Sequence, residues 1–260
     1  MPRGALVVTT HWPDELVLVR HGESMGNLAD SAARQRHAER LDLELRDADV
    51  PLSETGRQQA DAVGRFISDL RRDRLPELVV TSPYRRAAET AERALAAWQG
   101  HTDPVIDERL RERDLGAFDR LTWRGIEAEY AQEAHRRDHV GKFYYQPPSG
   151  ESWCDVTLRV RSLLHDLRDG YEGRRVWLFT HQAVIMAFRY VLENLTEQEL
   201  LEIDRTQRLP NCSMTTYRSG DRSGDRSVDL ARFADTEAVD RSTAQATAEP
   251  SKAERAGSAG

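Results

Sequence analysis

The stretch Val17-Leu18-Val19-Arg20-His21-Gly22-Glu23-Ser24, closed by Asn27, sets a guanidinium and an imidazole directly after an apolar run. Open α/β sheets place their ligands at the carboxyl ends of buried strands, so this pair stands where an anion could be held. Gly22 has no Cβ and lets the backbone come close to such an anion. Two further segments end the same way. Leu78-Val79-Val80-Thr81 runs through Ser82-Pro83 to Arg86, and Val176-Trp177-Leu178-Phe179 ends at Thr180-His181. Taken singly, Arg86 beside Arg85 suits a solvated helix face, and His181 suits a satisfied core histidine. Two histidines and two arginines at equivalent strand ends instead suit one tetrahedral dianion. Guanidinium forks match phosphate oxygens, and helix N-termini after Ser82 and His181 add N–H donors.

The elements that must position these groups follow from the hydrophobic pattern. A first strand is expected at about 16–20, and residues 28–50, without clear periodicity, read as a surface excursion. Ser53 is the expected N-cap of a helix whose Ala60, Val63, Phe66, Ile67 and Leu70 share one face. The strand at 78–81 leads into a helix with Pro83 at its start, running to about residue 98. Residues 105–110 form a third strand candidate, and Trp123, Ile126, Tyr130 and Ala134 share a helix face. Ser152 and Asp155 suit a capping box for a helix that turns Val156, Val160, Leu163, Leu164 and Leu167 inward. A strand at 176–179 precedes a helix through residue 192. Residues 213–217 and 228–233 alternate like a hairpin.

The chain has 260 residues, 39% of them hydrophobic, enough for one sizeable core. A single domain is expected over 15–240, after a ragged N-terminus at 1–14. Residues 241–260, rich in Ala, Ser, Thr and Glu, lack the apolar surface to offset ordering entropy and are expected to be disordered. A net charge of −7 and a pI near 5.7 leave no basic stripe for nucleic acid. An anionic substrate therefore needs local cationic clustering. Cys154 and Cys212 lack Cys-x-x-Cys spacing and read as reduced thiols, with no metal site and no cofactor implied. The opening residues do not resemble a signal peptide and no segment suits a bilayer, so a soluble, cytoplasmic chain without a membrane partner is expected.

Other segments repeat a known set of motifs. They are Leu52-Ser53-Glu54-Thr55-Gly56-Arg57-Gln58-Gln59-Ala60, Thr81-Ser82-Pro83-Tyr84-Arg85-Arg86-Ala87 with Glu89-Thr90-Ala91, Leu110-Arg111-Glu112 with Gly116, and Gly150-Glu151-Ser152. With Arg20-His21-Gly22 they resemble the histidine phosphatase (phosphoglycerate mutase-like) superfamily over nearly all of the chain from Arg20 to Phe233. The resemblance implies an α/β fold, a three-layer α/β/α sandwich with a mostly parallel central sheet. It makes His21 the nucleophile that forms a phosphohistidine. Arg20, Arg86 and a protonated His181 would stabilise the equatorial oxygens, and Asn27 would hydrogen-bond the transferring group. Glu112 would protonate the leaving alkoxide and then deprotonate water, which requires a raised pKa. Glu151 remains open between a helix start and a further role.

His181-Gln182-Ala183-Val184, Leu121-Thr122 and Lys142-x-x-Tyr145-x-x-Pro148-x-Gly150-Glu151-Ser152 resemble the fructose-2,6-bisphosphatase half of the bifunctional fructose bisphosphate enzyme. By that likeness Gln182 contacts phosphate, and Lys142 and Arg137 contact the substrate. Trp123 and Trp153 stand where that group has tyrosines, and Met186 where it has an arginine. A cap is expected at about 113–148. The resulting expectation is a metal-independent phosphomonoesterase of small phosphorylated substrates, preferring monophosphates with bulky or partly apolar leaving groups. Phosphoproteins stay open as substrates. A phosphoglycerate mutase-type phosphotransferase and a non-catalytic phospholigand-binding module are the alternatives.

Overall fold

Alternation along two central strands builds the core. The computed structural model describes residues 12–99, 103–220 and 228–249. Among these, β1 (Glu15–Arg20), β2 (Leu78–Thr81), β3 (Val105–Ile106), β4 (Arg175–Thr180), β5 (Met214–Ser219) and β6 (Val228–Asp235) form one sheet in the order β3-β2-β4-β1-β5-β6. β3, β2, β4 and β1 run parallel, while β5 and β6 are antiparallel additions. The helices are α1 (Met25–Gln35), α2 (Glu54–Ser68), α3 (Arg85–Trp98), α4 (Trp123–Glu129), α5 (Ala131–Val140), α6 (Trp153–Gly170), α7 (Gln182–Leu192), α8 (Glu197–Thr206) and the short α9 (Glu237–Asp240).

Successive side chains of a strand point to opposite faces. Leu16, Leu18, Val176 and Leu178 pack against Val156, Val160 and Leu163 of α6 and Val184 and Phe188 of α7. Val17, Val19, Trp177 and Phe179 pack on the other face against Val63 and Ile67 of α2 and Ala91 and Leu95 of α3. The result is the expected three-layer sandwich. Each fully buried aliphatic side chain contributes about 1.5–3 kcal/mol, so the two apolar faces, rather than the polar strand ends, hold the fold. In the ladders Arg20 pairs with Thr180 and Thr81 with Phe179, so β1, β2 and β4 end level. His21, Ser82 and His181 therefore leave the sheet at one edge.

Several expectations need correction. The supposed excursion at 28–50 begins with α1. Ser24 and Asn27 form its capping box, and only Ala33 is buried, so no apolar stripe announces it. The third strand stops at Ile106 because the Asp107 side chain accepts from the Arg109 N–H and turns the chain into a 3-10 turn at Glu108–Leu110. The face drawn through Trp123 and Ala134 is split at Tyr130 into α4 and α5, and Trp123 is 43% exposed. Pro83 lies before α3, whose N-cap is Tyr84. α8 was not anticipated.

The expected disorder from 241 onward does not describe residues 241–249. The Asn211 N–H donates to Thr247 O at 2.9 Å, and Gln59 Nε2 donates to Gln245 O at 2.7 Å and Thr247 Oγ1 at 2.8 Å. Composition misled because this hold is polar, through the Gln245 and Thr247 carbonyls and the Thr247 and Glu249 side chains. Residues 250–260, and residues 1–11 of the expected ragged start, lie outside the described residues. Cys212 is buried and Cys154 half-buried, both as free thiols. Among the described residues no helix is long and apolar enough to cross a membrane.

Candidate active site

His21 follows β1 directly and is buried. Its backbone N–H donates to Thr180 O at 2.9 Å, which ties it to the end of β4. The ring lies 2.7 Å through Nδ1 from Gly22 O. A carbonyl only accepts, so Nδ1 carries the proton and Nε2 keeps the lone pair. Burial, and then the charges of Arg86 and Arg20, push the His21 pKa well below its ordinary value. The imidazole is neutral and nucleophilic near neutrality. A Cβ at Gly22 would stand 2.5 Å from Gly56 O, so the start of α2 needs the space. The Gly22 N–H donates to Thr90 Oγ1 of α3 at 3.0 Å.

The His21 and His181 rings lie 5.1 Å apart between centroids. His181 hydrogen-bonds through Nε2 to Ser82 Oγ at 2.8 Å, and its buried Nδ1 has no partner among the described residues. Burial, and then Arg86, push His181 well below its ordinary pKa as well. The expected protonated His181 is therefore corrected: these surroundings favour the neutral ring, and only a neighbouring anion would reverse the sign.

Arg20 is buried and donates to Leu209 O, and its Nη2 meets Glu249 Oε1 at 3.2 Å. Arg86 donates to Asp47 O at 2.6 Å and to Asp47 Oδ2 at 3.1 Å, and its guanidinium stands 5.3 Å from the Tyr84 ring centroid. Asn27 Oδ1 accepts from the Ser24 N–H at 2.9 Å, which turns its Nδ2 outward to Glu249 Oε1 at 2.6 Å. Buried cations need such partners, because an uncompensated charge away from water is costly.

Glu112 follows the 3-10 turn after β3. Its Oε1 accepts from the Arg113 N–H at 2.8 Å, and burial raises its pKa. The loop is clamped from α6 and β4. Arg159 donates to Arg109 O at 2.6 Å and Glu112 O at 3.3 Å, Glu151 Oε2 accepts from the Asp114 N–H at 3.1 Å, and Thr180 Oγ1 donates to Leu110 O at 2.8 Å. Sequence reasoning missed Arg159. The available signal was a basic residue beside the inward-facing Val160.

Next to Gln182, the buried Asp204 pairs with Lys142 Nζ at 2.7 Å and accepts from Gln182 Nε2 at 3.4 Å. Lys142 and Arg113 lie 5.6 Å and 5.7 Å from the ring centroid of the buried Trp153. Lys142, Gln182 and Trp153 thus come together as a group. Arg137 instead stacks 4.7 Å from the Trp123 ring, close enough for its charge to help lower the Arg113 pKa behind the larger effect of burial. Met186 is buried with Phe143, Trp153 and Leu200. Asp204 was missed because it belongs to the unanticipated α8. Among the described residues no group of three or more His, Cys, Asp or Glu side chains could hold a metal ion.

A family model, the histidine phosphatase superfamily (branch 1), matches residues 16–228, from β1 to the start of β6. The chain belongs to this family. Bifunctional protein Rv2228c of Mycobacterium tuberculosis is 35% identical over 185 residues, covering 70% of this chain and 45% of that protein. The histidine phosphatase chain described here thus spans less than half the length of that relative. The 6-phosphofructo-2-kinase/fructose-2,6-bisphosphatase of Gallus gallus is 30% identical over 195 residues, 74% of this chain and 36% of that one. A mycobacterial glucosyl-3-phosphoglycerate phosphatase solved with VO3 superposes with a TM-score of 0.66 at 26% identity, covering 85% of this chain and 99% of its own.

Proposed function

We propose that this chain is a metal-independent phosphomonoesterase working through a phosphohistidine on His21. The observation that carries the reading is the Nδ1 contact to Gly22 O, which leaves Nε2 of a neutral, buried imidazole between two guanidiniums. Nε2 attacks phosphorus in line, the P–O bond to the leaving group breaks, and Glu112 gives its proton to the departing alkoxide. Water then attacks the phosphohistidine, Glu112 takes its proton, and the P–N bond breaks to return neutral His21 and inorganic phosphate. Arg20, Arg86, Asn27 and His181 would face the equatorial oxygens, with Gln182 beside them. Glu112's raised pKa suits the first, acidic role.

The leaving-group side favours monophosphates. Asp204 offsets the charge of Lys142, and Met186 adds no cation, so a second phosphate would find less positive charge than a fructose bisphosphate needs. The Trp153 face with Lys142, Gln182 and Asp204 instead suits a leaving group combining hydroxyls with apolar surface. The glucosyl-3-phosphoglycerate phosphatase likeness supports a small phosphorylated metabolite. Two free thiols suit a reducing compartment, and a cytoplasmic location belongs to this reading. Phosphate release from a metabolite panel, with and without His21→Ala and an excess of chelator, tests it. Chelator inhibition reversed by added metal, or turnover surviving in the variant, would overturn it.

A further inference from the structure

The chain's own C-terminal segment reaches the phosphate pocket. Glu249 Oε1 accepts from Asn27 Nδ2 at 2.6 Å and from Arg20 Nη2 at 3.2 Å. One anionic oxygen thus bridges an amide and a guanidinium, as an oxygen of a bound phosphate would. The approach is built from buried groups. Gln59 is fully buried, and its Oε1 accepts from the Glu23 N–H at 2.9 Å, which points Nε2 at Gln245 O and Thr247 Oγ1. Asn211 receives the other side. Its N–H donates to Thr247 O at 2.9 Å and its Oδ1 accepts from Thr247 Oγ1 at 3.2 Å, while its Nδ2 holds His21 O at 3.1 Å. The residue that supports the nucleophile's carbonyl therefore also seats the tail.

We propose that residues 245–249 are an intramolecular ligand of the phosphate pocket, with the Glu249 carboxylate standing in for a phosphate oxygen. The pocket thereby contains a track for an extended acidic peptide, defined by Gln59, Asn211, Asn27 and Arg20. The inference rests on the phosphate-pocket reading above. Asp47 already faces Arg86, so Glu249 leaves both guanidiniums matched by carboxylates from outside the sheet. The Glu249 side chain is 27% exposed, so its contact is weak and can be displaced by a dianion. Tethering compensates for that weakness, because a short link holds the carboxylate at about millimolar local concentration. The tail then competes with substrate and raises the concentration needed for half-saturation.

The test compares the full chain, Glu249→Gln, and a chain ending at Thr243. The readouts are KM for an aryl phosphate and the inhibition constants of inorganic phosphate and orthovanadate. Both changes are expected to lower all three by about 3–30-fold, in proportion to the lost competition. A peptide of residues 243–251 added to the shortened chain should inhibit competitively, and the same peptide with Gln for Glu249 should not. The point variant keeps the test valid where the shortened chain folds poorly. Unchanged or weakened phosphate binding in Glu249→Gln, with His21-dependent turnover intact, overturns this inference alone. Absence of phosphate and vanadate binding in the full chain and the variant alike overturns the phosphate-pocket reading and this inference with it.

Discussion

Glu151 grips Arg159 with both carboxylate oxygens, Oε1 to Nε and Oε2 to Nη2, each at 3.0 Å. Neither side chain is placed to touch a reacting atom. Through Arg159 the pair holds Glu112 O, and through Oε2 it holds the Asp114 N–H, so the backbone on both sides of the Glu112 carboxyl is fixed. The Gly-Glu-Ser motif thus starts α6 with Ser152 and steadies the Glu112 loop with Glu151. Glu151→Ala is expected to lower kcat by about 10–100-fold through misplacement of the carboxyl. It should also shift the alkaline limb of the pH–rate profile, and Glu151→Gln should restore part of both. A variant that lost stability but kept kcat and the pH profile would make Glu151 purely structural.

His21→Ala should remove the acid-labile phosphoenzyme and leave less than about a thousandth of wild-type turnover. Single-turnover labelling with an aryl phosphate checks both. Label retained in the variant would assign the nucleophile elsewhere.

Glu112→Gln should slow turnover by roughly a hundredfold or more while orthovanadate still binds, because it removes proton transfer and leaves the guanidiniums in place. Loss of vanadate binding would move Glu112 from proton transfer to architecture.

Asp204→Asn should free the charge of Lys142 and shift preference toward fructose 2,6-bisphosphate by about tenfold in relative kcat/KM. Met186→Arg is not an equivalent route. It would force a guanidinium among Phe143, Trp153 and Leu200 and lower the melting temperature. A wild-type enzyme preferring the bisphosphate to every monophosphate would refute this account of the leaving-group side.

The two strand-end histidines also make stability depend on pH. Both are pushed well below the ordinary value of 6.5, chiefly by burial, so the unfolded chain binds their protons first. Their contribution is complete above about pH 6.5 and is lost as pH falls toward their depressed values. Glu112 acts with the opposite sign, because its raised pKa costs stability as pH rises through the ordinary value of 4.5 and above. Melting temperature should therefore fall on acidification below about pH 6.5, more steeply in Glu112→Gln than in wild type. A flat profile in that variant would contradict the burial of both rings.

Much of this site was legible because its parts sit where strands end. Apolar runs closing on Arg20-His21 and Thr180-His181 needed only the parallel β1–β4 ladder to meet. Ser53 and Ser152 cap helices as their spacing implied. What escaped reading was held by polar contacts distant in sequence. Arg159, Asp204 and the 245–249 segment carry no periodic apolar signal, and their partners Glu112, Lys142 and Gln59 lie far away along the chain. The protonation of His181 was misjudged for another reason: burial, which lowers its pKa most, follows from tertiary packing and not from the residues beside it.

The parallel ladder between β1 and β4 joins opposite parts of the chain and brings His21 beside His181. Such non-local pairings close late in folding, because loop entropy must be overcome before they form. A chain emerging from the ribosome carries His21 long before β4 exists, so on the proposed mechanism its phosphate pocket stays incomplete until residue 181 has been made. If the proposed turnover holds, its recovery after dilution from denaturant would time the closure of the sheet's centre, so activity would serve as a folding clock.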